Sequence, residues 1–143
     1  MRFVTYFFIV FVSSTSAYSK EFNIEMLNRL NGENMLYSQK IVNVNKGDIV
    51  VWKATTSGHN VEFINGGVPK EVGKFKSTIN QSTQYTFDIP GIYAYWCTPH
   101  KSLGMIGFVI VDNDKSNLED IKKIKYYGMS NKVAKTLISQ IPK

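Results

Sequence analysis

Gly91-Ile92-Tyr93-Ala94-Tyr95-Trp96-Cys97-Thr98-Pro99-His100-Lys101-Ser102-Leu103-Gly104-Met105-Ile106-Gly107-Phe108-Val109-Ile110-Val111 is the stretch that decides the fold. Ile92, Ala94 and Trp96 alternate with Tyr93, Tyr95 and Cys97. Beyond the polar interruption, Ile106, Phe108 and Ile110 alternate with Met105, Val109 and Val111. Period two on both sides of a short loop predicts two neighbouring strands joined at one end of a sheet. The same alternation recurs upstream in Phe22-Ile24-Met26, Val42-Val44, Ile49 to Trp52, Val61-Phe63 and Tyr85-Phe87-Ile89. Lys46-Gly47-Asp48 and Pro90-Gly91 are turn signals between these runs. Short, β-branched, regularly punctuated runs predict an all-β antiparallel sandwich or barrel. Residues 65–81 lack periodicity and read as a long connection carrying one helical turn.

After Val111 the period changes. Ser116 with Glu119 fits a capping box, and Leu118, Ile121 and Ile124 recur at helical spacing up to Gly128. Val133, Leu137 and Ile141 predict a second helix ended by Pro142. Both helices, at about 116–141, are too short to stand alone in water and are expected to pack on the sandwich.

The joining loop carries the chemistry. Cys97, His100 and Met105 stand at spacing C-x2-H-x4-M, and His59, in Ser57-Gly58-His59-Asn60, opens another strand. Loops at one end of a sandwich cluster in space, so His59 can reach the same point. A thiolate, two imidazoles and a weak axial thioether are the donor set of a blue-copper electron-transfer site, cycling one copper ion between Cu+ and Cu2+. Each residue also has a plainer reading. A lone cysteine is usually a small buried hydrophobe, and Met105 could be ordinary core. What these readings leave unexplained is that the only cysteine and both histidines fall into one spaced set. A Cys97–His100 nucleophilic pair is a further alternative, although it lacks an obvious orienting carboxylate and leaves His59 and Met105 unused. Zinc is another, although it would recruit a carboxylate or water as fourth ligand.

Composition sets the limits. At 143 residues the chain is too short for a (β/α)8 barrel, which needs about 250. One cysteine excludes an internal disulfide framework and a four-thiolate metal site. Two histidines leave none for the extra metal centres of a copper oxidase or reductase, so an enzyme is not expected. Seventeen basic against eleven acidic residues give a net charge of +6, yet there are only two arginines and no nucleic-acid module with interleaved aromatics. Arg2, the apolar run Phe3 to Val12 and the small polar stretch Ser13 to Ser19 have the order of a secretory signal. The run is too short to span a membrane, which takes about 20 apolar residues. Residues 1–19 are thus expected to be removed, leaving 20–143 as a periplasmic domain with no stable membrane association.

The chain resembles the cupredoxins and, among them, the pseudoazurins over nearly its whole length. Phe22 to Asn28, Lys46-Gly47-Asp48, Gly58-His59-Asn60-Val61-Glu62, Phe75-Lys76-Ser77, Pro90-Gly91-Ile92-Tyr93 and Cys97 through Gly107 carry the resemblance. Plastocyanins share the C-x2-H-x4-M spacing but end at the last strand. The two C-terminal helices match pseudoazurins. The resemblance implies a Greek-key sandwich of about eight strands and copper held by His59, Cys97, His100 and Met105. It implies that Asn60 ties the His59 loop to the Cys97 loop by hydrogen bonds. It further implies an apolar docking patch around His100 formed by Met35, Pro99, Leu103 and Ile106, with Leu103 and Ile106 alternatively ordinary core. Lys101 lies inside the ligand loop, Arg29 and Lys76 match basic family positions, and together the three could steer an acidic-faced partner. Trp96 and Ser57 stand where lysine is common in the family, so that basic ring is incomplete. The expected partners are periplasmic redox proteins of the copper nitrite reductase, cytochrome or peroxidase type, met transiently by a monomer. Copper storage or delivery is the alternative function.

Overall fold

The computed structural model describes residues 18–142. Most of the expected signal segment, residues 1–17, lies outside them. Among the described residues, the order is β1 (Glu21–Leu30), β2 (Glu33–Tyr37), β3 (Ile41–Val44), β4 (Ile49–Lys53), β5 (Glu62–Phe63), β6 (Thr83–Thr86), β7 (Gly91–Trp96), β8 (Ile106–Val111), α1 (Leu118–Lys123) and α2 (Met129–Gln140). The strands form two sheets, ordered β2-β1-β4-β6 and β3-β8-β7-β5. Most neighbours are antiparallel, but β1 pairs parallel with β4 and β3 parallel with β8. These crossings give the expected Greek-key sandwich.

The sheets close on one aromatic-rich core. Tyr37 meets Tyr95 edge-on at 4.9 Å, Trp52 meets Tyr95 at 5.2 Å, and Phe87 meets Tyr93 at 4.8 Å between ring centroids. Such edge-to-face pairs add about 0.5–1.5 kcal/mol each beyond area burial. Cys97 and Met105 belong to this inter-sheet core. Gly107 pairs with Tyr95 across β7 and β8, and the Tyr95 ring occupies the space a Cβ at Gly107 would need.

Alternation alone describes strands with one face in water, but β8 is buried throughout and β7 up to Tyr95. The outer face, Ile92, Ala94, Ile106, Phe108 and Ile110, packs against Ile121, Tyr126, Ala134, Leu137 and Ile141. The apolar residues at both parities in the opening stretch reflect this: the C-terminal helices cover the face that a bare sandwich exposes.

Three local readings differ from the structure. The capping box is not formed. The Ser116 N–H goes to Asp114 Oδ1 (2.7 Å), and α1 starts after Asn117, whose side chain both donates to Ile92 O (2.8 Å) and accepts from Ile92 N (2.9 Å). The side chain at the helix start is thus used to pin α1 to β7. The connection at 65–81 contains turns and no helix. Strand β2 follows an Asn31-Gly32 turn with both residues at positive φ, and alternation did not mark it because Glu33 and Asn34 are exposed.

Asp48, in the Lys46-Gly47-Asp48 turn, is buried, and its carboxylate accepts the N–H groups of Lys20 (2.8 Å) and Asn45 (2.7 Å). Replacing it with alanine strands two backbone donors. Asp48→Ala is expected to lower stability by about 1–3 kcal/mol, read as a lower urea midpoint. An unchanged midpoint would contradict the structural role of this turn.

Candidate metal centre

Three donor atoms converge at one end of the sandwich. Cys97 Sγ lies 3.4 Å from His100 Nδ1 and 3.7 Å from His59 Nδ1, and the two Nδ1 atoms are 3.2 Å apart. These separations place a common point about 2.0 Å from each atom, close to the metal–imidazole bond length of zinc sites. A soft sulfur with two imidazole nitrogens around that point fits a trigonal copper site. Met105 supplies the nearest thioether in sequence. It is fully buried in the same core as Cys97, and its carbonyl accepts the Cys97 N–H at 3.0 Å, closing the loop at its base.

Two asparagines hold the donors in place. His59 Nε2–H donates to Asn28 Oδ1 at 2.8 Å, which leaves the lone pair on Nδ1, facing Cys97 and His100. Asn28 reaches His59 because the β1–β2 ladder breaks beside it. Its own N–H turns to Thr56 Oγ1 (2.8 Å), and the facing Met35 adopts φ 51°. Asn60 spans the two loops: Oδ1 accepts from Thr98 N (2.8 Å), and Nδ2 donates to Thr98 Oγ1 (3.0 Å) and Ser77 O (3.2 Å). Thr98 Oγ1 then donates to Glu62 Oε2 at 2.7 Å, which also takes the Trp96 indole N–H at 3.1 Å. Burial raises the Glu62 carboxyl, but the Thr98 and Trp96 hydrogen bonds and the nearby Lys76 charge bring it below its ordinary pKa.

Burial sets the protonation of the donors. It lowers both imidazoles, with His59 further lowered by His100. It raises the Cys97 thiol, a shift partly offset by backbone hydrogen bonds from Asn60 and His100. At neutral pH the metal-free cluster is two neutral rings and a thiol, so a metal entering it displaces one proton, from sulfur. Neither ring has a carboxylate partner among the described residues, as a Cys–His nucleophilic pair would want.

The structure brings together His59, Cys97 and His100, with Asn60 bridging their loops and Met105 buried in the core behind them. His59 and Cys97 are fully buried, whereas His100 is partly exposed. Pro99 and Leu103 are exposed, Met35 is half-buried, and Met35 and Leu103 line one groove. Ile106 does not belong to any surface patch. It is fully buried on the outer face of β8, packed beneath the C-terminal helices. Its alternative reading as core is the correct one. Sequence reasoning did not single out Asn28, because an amide 31 residues from its partner carries no motif.

The family model for copper binding proteins of the plastocyanin/azurin family matches residues 24–112. The chain is 35% identical over 129 residues to a putative pseudoazurin of Rhizobium leguminosarum bv. viciae, covering 90% of this chain and 85% of that protein. It is 32% identical over 133 residues to a pseudoazurin of Methylorubrum extorquens, covering 93% and 90%. The crystal structure of pseudoazurin from Methylobacterium extorquens AM1 superposes with a TM-score of 0.82 at 33% identity, covering 85% of this chain and 99% of that one.

The protonation pattern predicts how metal-free stability depends on pH. Below 6.5 the unfolded chain protonates its histidines before the folded one does, so stability falls as pH drops from 6.5 toward the lowered folded values. Above 9.0 the unfolded thiol ionises first, so stability falls again as pH rises. Urea midpoints of the metal-free protein should be lower at pH 5.5 than at 7.5. Equal midpoints would contradict the lowering of the two imidazoles in the folded chain.

Proposed function

Because the chain belongs to the copper-binding plastocyanin/azurin family and, within it, to the pseudoazurins, we propose that His59, Cys97, His100 and Met105 hold its single copper ion. The protein is a type 1 copper electron-transfer protein. The observation that carries the ligand assignment is the triangle of Cys97 Sγ and two imidazole Nδ1 atoms, already at bonding separations around one point. Copper bound there supplies a one-electron couple between Cu2+ and Cu+. The chain supplies fixed donors. Asn28 holds the His59 ring and its tautomer, Asn60 locks the two loops together, and the inter-sheet core immobilises Cys97 and Met105. Donors held in this way move little when the charge at their centre changes, which keeps the barrier to electron exchange low. Buried donors also favour a shuttle over a delivery protein, which must expose ligands to pass metal on. With both histidines and the only cysteine committed to one site, no side chains of these types remain for substrate chemistry.

His100 is the ligand nearest solvent, exposed Pro99 and Leu103 lie beside it in its loop, and Leu103 shares a groove with half-buried Met35. In this reading a redox partner docks there briefly, and the His100 ring edge carries the electron. The partner is a periplasmic redox protein of the copper nitrite reductase, cytochrome or peroxidase type. The protein acts as a monomer after removal of residues 1–19, and no helix among the described residues is long and apolar enough to cross a membrane.

Copper-loaded protein is expected to show an intense visible band that ascorbate bleaches. Cys97→Ser should abolish the band. Met105→Leu should keep it and raise the reduction potential, because a lost donor destabilises Cu2+ more than Cu+. A band surviving in Cys97→Ser would refute the ligand assignment. Asn28→Leu, which frees the His59 ring, should weaken copper binding about 10–100-fold in a competition titration.

A further inference from the structure

Among the proposed ligands, His100 has the least support. His59 is tied to Asn28, and Cys97 and Met105 are buried in the core. No described residue hydrogen-bonds to the second ring nitrogen of His100, and its ring is partly exposed. Its position therefore depends on the backbone of residues 98–104. One flank of that loop is held by the Thr98–Asn60 pair. We infer that the connection between α1 and α2 braces the other flank, with Tyr127 and Lys101 as positioning residues for His100.

Three contacts carry the inference. Met129 N–H donates to Ser102 O at 2.9 Å, joining the start of α2 to the loop backbone. Gly128 sits at φ 50°, and a side chain there would run into Ser102 O, so the two backbones meet directly. Lys101 Nζ stands 5.1 Å from the Tyr127 ring centre and 5.6 Å from that of Trp96, and the two rings are 5.7 Å apart. The ammonium thus binds the residue next to His100 both to the last residue of β7 and to the helical connection. Trp96 is itself fixed by its hydrogen bond to Glu62. Since Tyr127 is 43% exposed, its contact with Lys101 and Trp96 is not explained by core packing alone. Lys101 is accordingly a loop fastener, not a free steering charge.

The inference rests on His100 being a copper ligand, but its first test needs no metal. Hydrogen exchange of the amides at 98–104 is compared in metal-free wild type, Lys101→Met, Tyr127→Leu and the double variant, with Lys132→Met on α2 as a charge-matched control. Both single variants are expected to exchange about two- to fivefold faster in this loop. The double variant should be little faster than either, and the control should match wild type. Rates equal to wild type in the single variants would overturn the brace. In copper-loaded protein, the electron self-exchange rate should fall in both variants with the visible band retained. A loosened loop with unchanged self-exchange would overturn its role in electron transfer. Absence of the band in wild type as well would instead be the failure of the copper reading.

Discussion

The hydrogen-bonded pair of Asn60 and Thr98 is the contact on which the site depends. His59 lies on the crossover from β4 to β5, and Cys97 ends β7, so nothing in the chain between them fixes their separation. The Asn60 amide fixes it by bonding Thr98 through both its oxygen and its nitrogen and reaching Ser77 O as well. The Asn60 carbonyl accepts the Tyr37 hydroxyl at 2.8 Å, which ties the same residue to the other sheet. A fully satisfied buried amide is rigid, because any displacement leaves unpaired polar atoms at about 1–3 kcal/mol each. The Asn60 network therefore fixes the placement of the His59 loop against the Cys97 loop.

The sandwich adds a second constraint. Strands β7 and β8 are covered on one side by the aromatic inter-sheet core and on the other by the C-terminal helices. The loop joining them hangs from two strands that have almost no freedom, and the Cys97–Met105 backbone bond closes it at the base. Support is uneven across the site. His59 faces inward against β1, whereas His100 faces the surface on a loop. That asymmetry suits a centre that must be insulated from water on one side and reachable by a partner on the other.

Much of this was legible in the sequence, for identifiable reasons. The alternation around the C-x2-H-x4-M loop gave β7, β8 and the loop because period two is local. The meeting of His59 with Cys97 and His100 could be anticipated because only one such set of donors exists in the chain. The double burial of β7 and β8 was present as apolar residues at both parities, but its cause, the helices, lies downstream of Val111. Ile106 could be read as surface or core until the helices were placed over β8. Asn28 and the Asn117 clamp were not legible. Each is a polar side chain acting on a residue more than twenty positions away, and neither carries a local pattern. Ser116 and Glu119 did carry one, but the helix start is instead set by Asn117, whose side chain bonds both backbone groups of buried Ile92.

Contacts around the site also change what its charges can do. The net charge of +6 suggests a basic surface that steers an acidic partner, with Lys76 and Lys101 near the site as its obvious agents. Lys76 lies 3.5 Å from Glu62, so part of its field is cancelled where it would matter. Lys101 rests on two aromatic rings. Trp96, where lysine is common in the family, contributes a ring and an indole N–H instead of a charge. Of Arg29, Lys76 and Lys101, only Arg29 forms no ion pair or ring contact among the described residues. Exposed Pro99 and Leu103 flank His100 in sequence, and a partner docking there as proposed would be held by apolar contact over a small area. The net positive charge of the chain would still orient an approaching partner at long range without adding to the strength of that contact. A shuttle that must release its partner after each electron is served by that division.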